Sequence, residues 1–235
     1  MRRRALCGLA AIAYLLAAAP AQASDPVCRP SKPAAATVVV IEGGGFVLPG
    51  WADLGTCRAL ARHGFRAVSI SYPLHDLPGA VKTTMRKLRR ERRHGLPVCV
   101  LGESSGGTLA ELAAVEGRVP AAVAVAAPTN LLDWSPGGPA AEREWSSPAA
   151  YWRDVGATRR ERRAASPLFR IGARPSPLLL FHSPEDEVVP IAQARSLAGK
   201  VPGAQLRRLR GRHLQSQAFR KPAFAWLRAN CRPRS

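Results

Sequence analysis

Six short apolar runs, interleaved with helix-like stretches, constrain this chain more than any other feature. The runs are Thr37–Ile41, Arg66–Ser71, Pro97–Leu101, Ala121–Ala126, Pro177–His182 and Ala204–Leu209. Mostly apolar on consecutive rather than alternate residues, they read as strands buried on both faces. Helical spacing occupies roughly Ala52–His63, Pro78–His94, Ser105–Glu116, Ile191–Ala198 and Ser216–Ala229. This alternation predicts right-handed βαβ units and one mostly parallel sheet of about six strands, with helices on both faces. The fold class is therefore α/β.

The rhythm breaks once. About fifty residues, rich in Pro, Gly, Arg and Trp, separate Ala126 from Pro177. A long connection inside a compact α/β domain is commonly functional. Trp134, Trp145, Tyr151 and Trp152 argue for an ordered segment, because disordered chains are poor in aromatics. A short lid-like insertion over about residues 133–166 is expected.

The N-terminus sets the expected compartment. Arg2, Arg3 and Arg4 precede the apolar stretch Leu6–Ala19, and Ala21-Gln22-Ala23 offers a small-x-small cleavage pattern. That is the anatomy of a secretory signal over residues 1–23, shorter in its apolar part than the ~20 residues a membrane span needs. Removing 23 of 235 residues leaves 212, one domain over 24–235. The predicted product is exported, periplasmic or extracellular, and not an integral membrane protein. Loss of three arginines lowers the formal charge from +19 to +16. The runs Arg86–Arg90 and Arg159–Arg163 concentrate part of it, which admits contact with an anionic surface. No aromatic-basic motif accompanies them, so no specific nucleic-acid partner is expected. None of the remaining cysteines sits at zinc-finger spacing, and no metal is expected.

Gly102-Glu103-Ser104-Ser105-Gly106-Gly107 follows one predicted strand and opens a helix. Gly-x-Ser-x-Gly between strand and helix is the nucleophile elbow: the turn is too tight for bulky neighbours, and the serine projects at a helix N-terminus. Ser105 lacks the leading glycine, since Glu103 occupies that position. A serine needs a base, and the base an orienting acid. Asp186 follows the strand Pro177–His182, and His213 follows the strand Ala204–Leu209, which gives the chain order Ser, Asp, His. Glu185 and Glu187 are expected to face solvent. Gly43-Gly44-Gly45 after the first strand would let backbone amides approach an oxyanion; Gly44, Gly45 and Ser105 are the expected donors. Phe46, Trp134, Trp145 and Trp152 are the candidate substrate-binding side chains.

From about Thr37 onward, the chain resembles the α/β-hydrolase superfamily, and in particular small carboxylesterases similar to the hormone-sensitive-lipase group. Gly43–Phe46, Ser69–Leu74, Gly102–Gly107, Leu131–Trp134, Ser166–Leu168, Asp186–Pro190 and His213 carry the likeness. Two residues depart from the family pattern: Glu42 stands where a histidine is common, and Ser183 where a glycine is common. Pro26–Ala36 is too short for the two antiparallel strands that often open the fold, so a minimal version is expected. The resemblance implies a serine esterase acting on a small-molecule or glycan ester through an acyl-enzyme, without a cofactor. An acyltransferase using the same residues, or a basic binding protein on an inactive hydrolase scaffold, are the alternatives. In this fold the first and last helices cover one face of the sheet. Cys28–Cys231 is accordingly the disulfide expected, with Cys99 and Cys57 as buried thiols.

Overall fold

The computed structural model describes residues 25–49 and 54–233. The expected leader, residues 1–23, lies outside the described residues. Seven strands form one sheet: β1 Val27–Cys28, β2 Thr37–Ile41, β3 Arg66–Ile70, β4 Val98–Glu103, β5 Ala122–Val125, β6 Leu178–His182 and β7 Gln205–Arg208. Their order across the sheet is β1-β3-β2-β4-β5-β6-β7. All pair in parallel except β1, which runs antiparallel to β3 with Val27 opposite Val68. The expected six strands are present, and β1 adds a short antiparallel edge within the Pro-rich stretch. At two residues it has no periodicity to read.

Continuous apolar runs become central strands because helices cover both faces. Every residue of β2, β5 and β6 is buried. Alternate side chains feed two cores. Val39, Ile41, Val68, Val100 and Leu180 pack on one face, and Val38, Val40, Ala67, Leu101 and Phe181 on the other. The second face is covered by α1 Leu54–Arg62 and α8 Arg220–Asn230, through Leu60, Phe224 and Leu227. The first face carries α2 Leu77–Glu91, α3 Ser105–Val115 and α7 Ala192–Ala198. β7 is the exception to burial: Arg207 and Arg208 are exposed at the sheet edge, where charge discourages further strand pairing.

Between β5 and β6 the chain forms three short helices, α4 Gly138–Glu144, α5 Pro148–Asp154 and α6 Arg159–Ala165. Tyr151 anchors them, its ring 5.8, 5.1 and 4.8 Å from those of Trp134, Trp145 and Trp152.

The cysteine pairing differs from expectation. Cys28 bonds Cys57, and Cys99 bonds Cys231. The chain ends do lie on one face, but not at the same place along it. β1 is three strands from β4, a displacement of about 14 Å at the usual strand spacing, whereas bridged Cα atoms stand within about 7 Å. Cys28 lies at the edge beneath α1, which presents Cys57. α8 runs over the sheet centre and delivers Cys231 to Cys99 on β4.

Candidate active site

β4 ends in a turn that only glycine permits at two positions. A Cβ on Gly102 would collide with the Gly106 carbonyl oxygen, and one on Gly106 would collide with the carbonyls of Ile41 and Glu42. Ser104, between them, is held at φ 51°, ψ −122°, an uncommon conformation for a residue with a side chain. Its amide donates to the Val125 carbonyl at 2.8 Å, which ties the turn to β5. Ser105 begins α3, so its own amide has no preceding helical turn to bond.

His213 stands in the loop between β7 and α8. Its Nδ1 is 2.8 Å from Asp186 Oδ2, and its Nε2 is 3.1 Å from Ser104 Oγ. A carboxylate only accepts, so Nδ1 carries the proton and the Nε2 lone pair faces the serine hydroxyl. Glu185 and Glu187 do not join this chain. The Glu187 carboxylate pairs instead with Arg212 at 2.7 Å, linking the acid loop to the histidine loop.

The acid loop is held from several sides. Val188 and Val189 amides donate to Asp186 Oδ1 at 3.0 and 2.8 Å. His182, fully buried at the end of β6, donates Nε2–H to the Val189 carbonyl at 2.7 Å and lies 3.5 Å from Asp186 Oδ2. Burial of the Asp186 carboxyl opposes ionisation. Hydrogen bonds from His182 and His213, the charge His213 can carry, and the Val189 amide outweigh it and hold this carboxyl far below the usual carboxylate range. Ser183 replaces the common glycine without disturbing the turn, since its hydroxyl accepts from the Glu185 amide at 3.0 Å.

The glycine loop is braced by two tyrosines. Tyr72 Oη lies 3.2 and 3.4 Å from the carbonyls of Glu42 and Gly43, to which it donates, and 2.9 Å from Ser105 Oγ. Burial, opposed by the Ser105 hydrogen bond and assisted by nearby Glu42, pushes this phenol up to about 12. Tyr72 therefore remains a neutral donor. From the insertion, Tyr151 donates to the Gly45 carbonyl at 2.8 Å. Glu42, one of the two departures from the resembled pattern, accepts from the Ser69 hydroxyl at 3.2 Å and so serves as a carboxylate anchor. Tyr72 belongs to the stretch Ser69–Leu74 and was legible as part of a motif. Tyr151 and His182 carried no local signal for these contacts.

A cleft of about 380 Å³ opens over Ser104 and His213, walled by Gly44, Gly45, Leu48, Trp134, Ala141, Glu144, Trp145, Val188 and Leu214 among others. Trp134 and Trp145 thus reach the cleft. Phe46 does not: at φ 64° it turns its ring into the core, fully buried and 6.0 Å from the Tyr72 ring. Nor is Trp152 among the cleft walls. It is 4% exposed, donates its indole N–H to the Trp134 carbonyl, and carries the Arg162 guanidinium over its ring. Trp152 supports Trp134 from behind. Among the described residues no group of His, Cys, Asp and Glu is placed to hold a metal, and no helix is long and apolar enough to cross a membrane.

The profile of the family described as BD-FAE matches residues 27–201. No curated protein matches the chain in sequence. Among solved structures, an acetyl ester-xyloside bifunctional hydrolase from Caldicellulosiruptor lactoaceticus superposes with a TM-score of 0.68, at 17% identity over 85% of this chain and 84% of that one. Thermogutta terrifontis esterase 2, phosphonylated by sarin, gives 0.70 at 19% identity over 88% and 91%. A truncated carbohydrate esterase from gut microbiota gives 0.70 at 18% identity over 87% and 90%. At these identities the likeness is one of fold.

Proposed function

The chain belongs to the BD-FAE family, an α/β-hydrolase-type family of esterases, and from that premise we propose that it hydrolyses small carboxylic esters with Ser104 as nucleophile, His213 as base and Asp186 as orienting acid. The observation that carries this reading is the unbroken hydrogen-bond chain from Asp186 through His213 to Ser104 at the floor of a cleft. Ser104 Oγ attacks the ester carbonyl while His213 Nε2 takes its proton. Asp186 keeps the imidazole in the tautomer that presents Nε2 and stabilises the imidazolium that forms. The amides of Gly44, Gly45 and Ser105 receive the developing oxyanion, helped by the N-terminal dipole of α3. His213 then protonates the departing alcohol. Water, deprotonated by the same imidazole, releases the acid and restores Ser104.

The insertion acts as a lid in this reading. Trp134 and Trp145 line the acyl or alcohol side, and the modest cleft favours short acyl groups. The two disulfides, together with the expected leader at residues 1–23, support an exported enzyme working in an oxidising compartment. A panel of 4-nitrophenyl esters and acetylated glycans, with fluorophosphonate labelling, tests the proposal. Ser104→Ala should remove labelling and lower turnover about 10⁴-fold or more without unfolding the protein, because the three residues act as a unit. Retained turnover in a clean preparation would refute the assignment.

A further inference from the structure

Two arginine-rich runs that ester chemistry does not use lie about seventy residues apart in the sequence, on α2 and α6, two helices that pack against each other in the fold. On α2, Leu77, Ala80, Thr84 and Leu88 are buried, while Lys82, Arg86 and Arg89 are exposed and Arg93 continues beyond the helix end. Their 4-3-4 spacing sets them in one stripe, with Cβ atoms about 5–6 Å apart. One flank of α2 is occupied by Asp25, which accepts from Lys87 at 2.5 Å and Arg90 at 2.9 Å. α6 packs against α2 as well. α6 starts next to the start of α2, because Gly156 sits so close to the His75 carbonyl that a Cβ would collide with it. Arg159, Arg160 and Arg163 are exposed on α6, which adds their charge to that of the neighbouring helix.

Almost nothing on this face neutralises it. Glu91 is buried and paired with Arg66 at 2.6 Å, and Glu161 closes the cap of its own helix on Thr158. Among the described residues, no acidic side chain pairs with Lys82, Arg86, Arg89, Arg93, Arg159 or Arg160. The crowding is visible on Arg162, whose guanidinium is lowered from its usual value by burial and then by Arg159. Such unpaired like charge costs stability unless an anion compensates it.

We propose that this α2–α6 face binds a linear anionic polysaccharide, whose carboxylate or sulfate groups pair along the stripe from Lys82 to Arg93. The composition of the face favours that class over polyanions and surfaces held by stacking or apolar insertion. Single-stranded nucleic acid would be held by aromatic platforms on which bases stack, and a bilayer surface by apolar side chains inserted among the charges. Among the described residues only Leu48 and Phe169 are large, apolar and exposed. Leu48 is at the ester cleft, and the Phe169 ring lies under the Arg163 guanidinium. What remains is a charge-only track, which suits a polymer bearing regularly spaced anions on a hydroxylated, non-stacking backbone. The inference stands apart from the ester chemistry.

The test is titration of the full protein with sodium polygalacturonate at low ionic strength, read by fluorescence anisotropy of a labelled polymer, with uncharged dextran as control. Replacing Lys82, Arg86, Arg89 and Arg93 by glutamine should weaken binding tenfold or more. Replacing Arg195, Lys200, Arg207 and Arg208, exposed at the other end of the sheet, by glutamine removes the same charge and should change affinity less than threefold. Circular dichroism and thermal melting check each fold; should the α2 variant fail to fold, Arg159, Arg160 and Arg163 to glutamine carries the same expectation. Equal losses in both four-residue variants would overturn the proposal by reducing it to net charge. Tighter binding of single-stranded DNA or phosphatidylglycerol vesicles than of polygalacturonate, abolished by the α2 changes, would overturn the choice of partner.

Discussion

Replacing Glu111 by glutamine should make the protein more stable, and by more as the pH rises. Glu111 lies in α3, two turns after the nucleophile, 0% exposed, and neither carboxyl oxygen has a hydrogen-bond partner among the described residues. Burial alone raises its pKa well above the usual 4.5. For an acid raised in the folded state, the stability of the protonated form is complete below the unfolded pKa. It is lost progressively as the pH climbs toward the folded one, because the unfolded chain ionises freely and the folded chain cannot. The slope is about 1.4 kcal/mol per pH unit. Glu111→Gln, which cannot ionise, should therefore gain on the wild type as the pH rises above the usual carboxylate range, by up to about 1.4 kcal/mol per pH unit until the folded carboxyl itself ionises. Glu111→Met also removes two unsatisfied polar atoms, a further pH-independent gain of about 1–3 kcal/mol. Urea unfolding at several pH values, disulfides intact, reads both, and all other titrating groups cancel in the comparison. At roughly 2–4 °C per kcal/mol for a chain this size, thermal melts resolve the trend too. Ester turnover at neutral pH should not change, since the first turn of α3 carries the Ser105 amide. Wild-type and glutamine curves that stay parallel would mean the carboxyl is ionised or partnered, and the reasoning would fail.

Other consequences are open to measurement. Asp186→Asn should lower turnover by about 10³–10⁴-fold with KM nearly constant, because the amide presents the wrong imidazole tautomer; essential behaviour of Glu185 or Glu187 instead would displace Asp186 from its role. Tyr72→Phe removes the donor to the Glu42 and Gly43 carbonyls and should reduce kcat about tenfold, less than loss of a direct oxyanion donor; an unchanged kcat would show the loop needs no such brace. Trp145→Ala should raise the ratio of hexanoyl to acetyl ester hydrolysis several-fold by enlarging the cleft, and a fall in that ratio would place the acyl group elsewhere. Replacing Cys99 and Cys231 by alanine opens a 132-residue separation and should cost about 5 kcal/mol, against about 4 kcal/mol for the 29-residue Cys28–Cys57 pair; chemical unfolding of the two double variants compares them.

What could be read from the residues alone was whatever short-range sterics and periodicity dictate. The strand positions followed from consecutive buried apolar residues, and the elbow from two glycines, Gly102 leaving room for the Gly106 carbonyl and Gly106 for those of Ile41 and Glu42. Asp186 and His213 stood out because each follows a strand at the sheet end where the elbow opens. The order of strands across the sheet, β1-β3-β2-β4 rather than sequential, has no such local signature. It separates Cys28 from Cys231 and hands each a different partner. The same holds for Tyr151, which reaches the Gly45 carbonyl across 106 residues, and for Trp134 and Trp152, equally aromatic and yet only the former at the cleft. The two arginine runs likewise come onto neighbouring helices only when α6 is laid against α2. Each of these contacts joins segments remote in sequence, and their meeting is decided by how the covered faces of the whole sheet pack together, not by any residue's own neighbours.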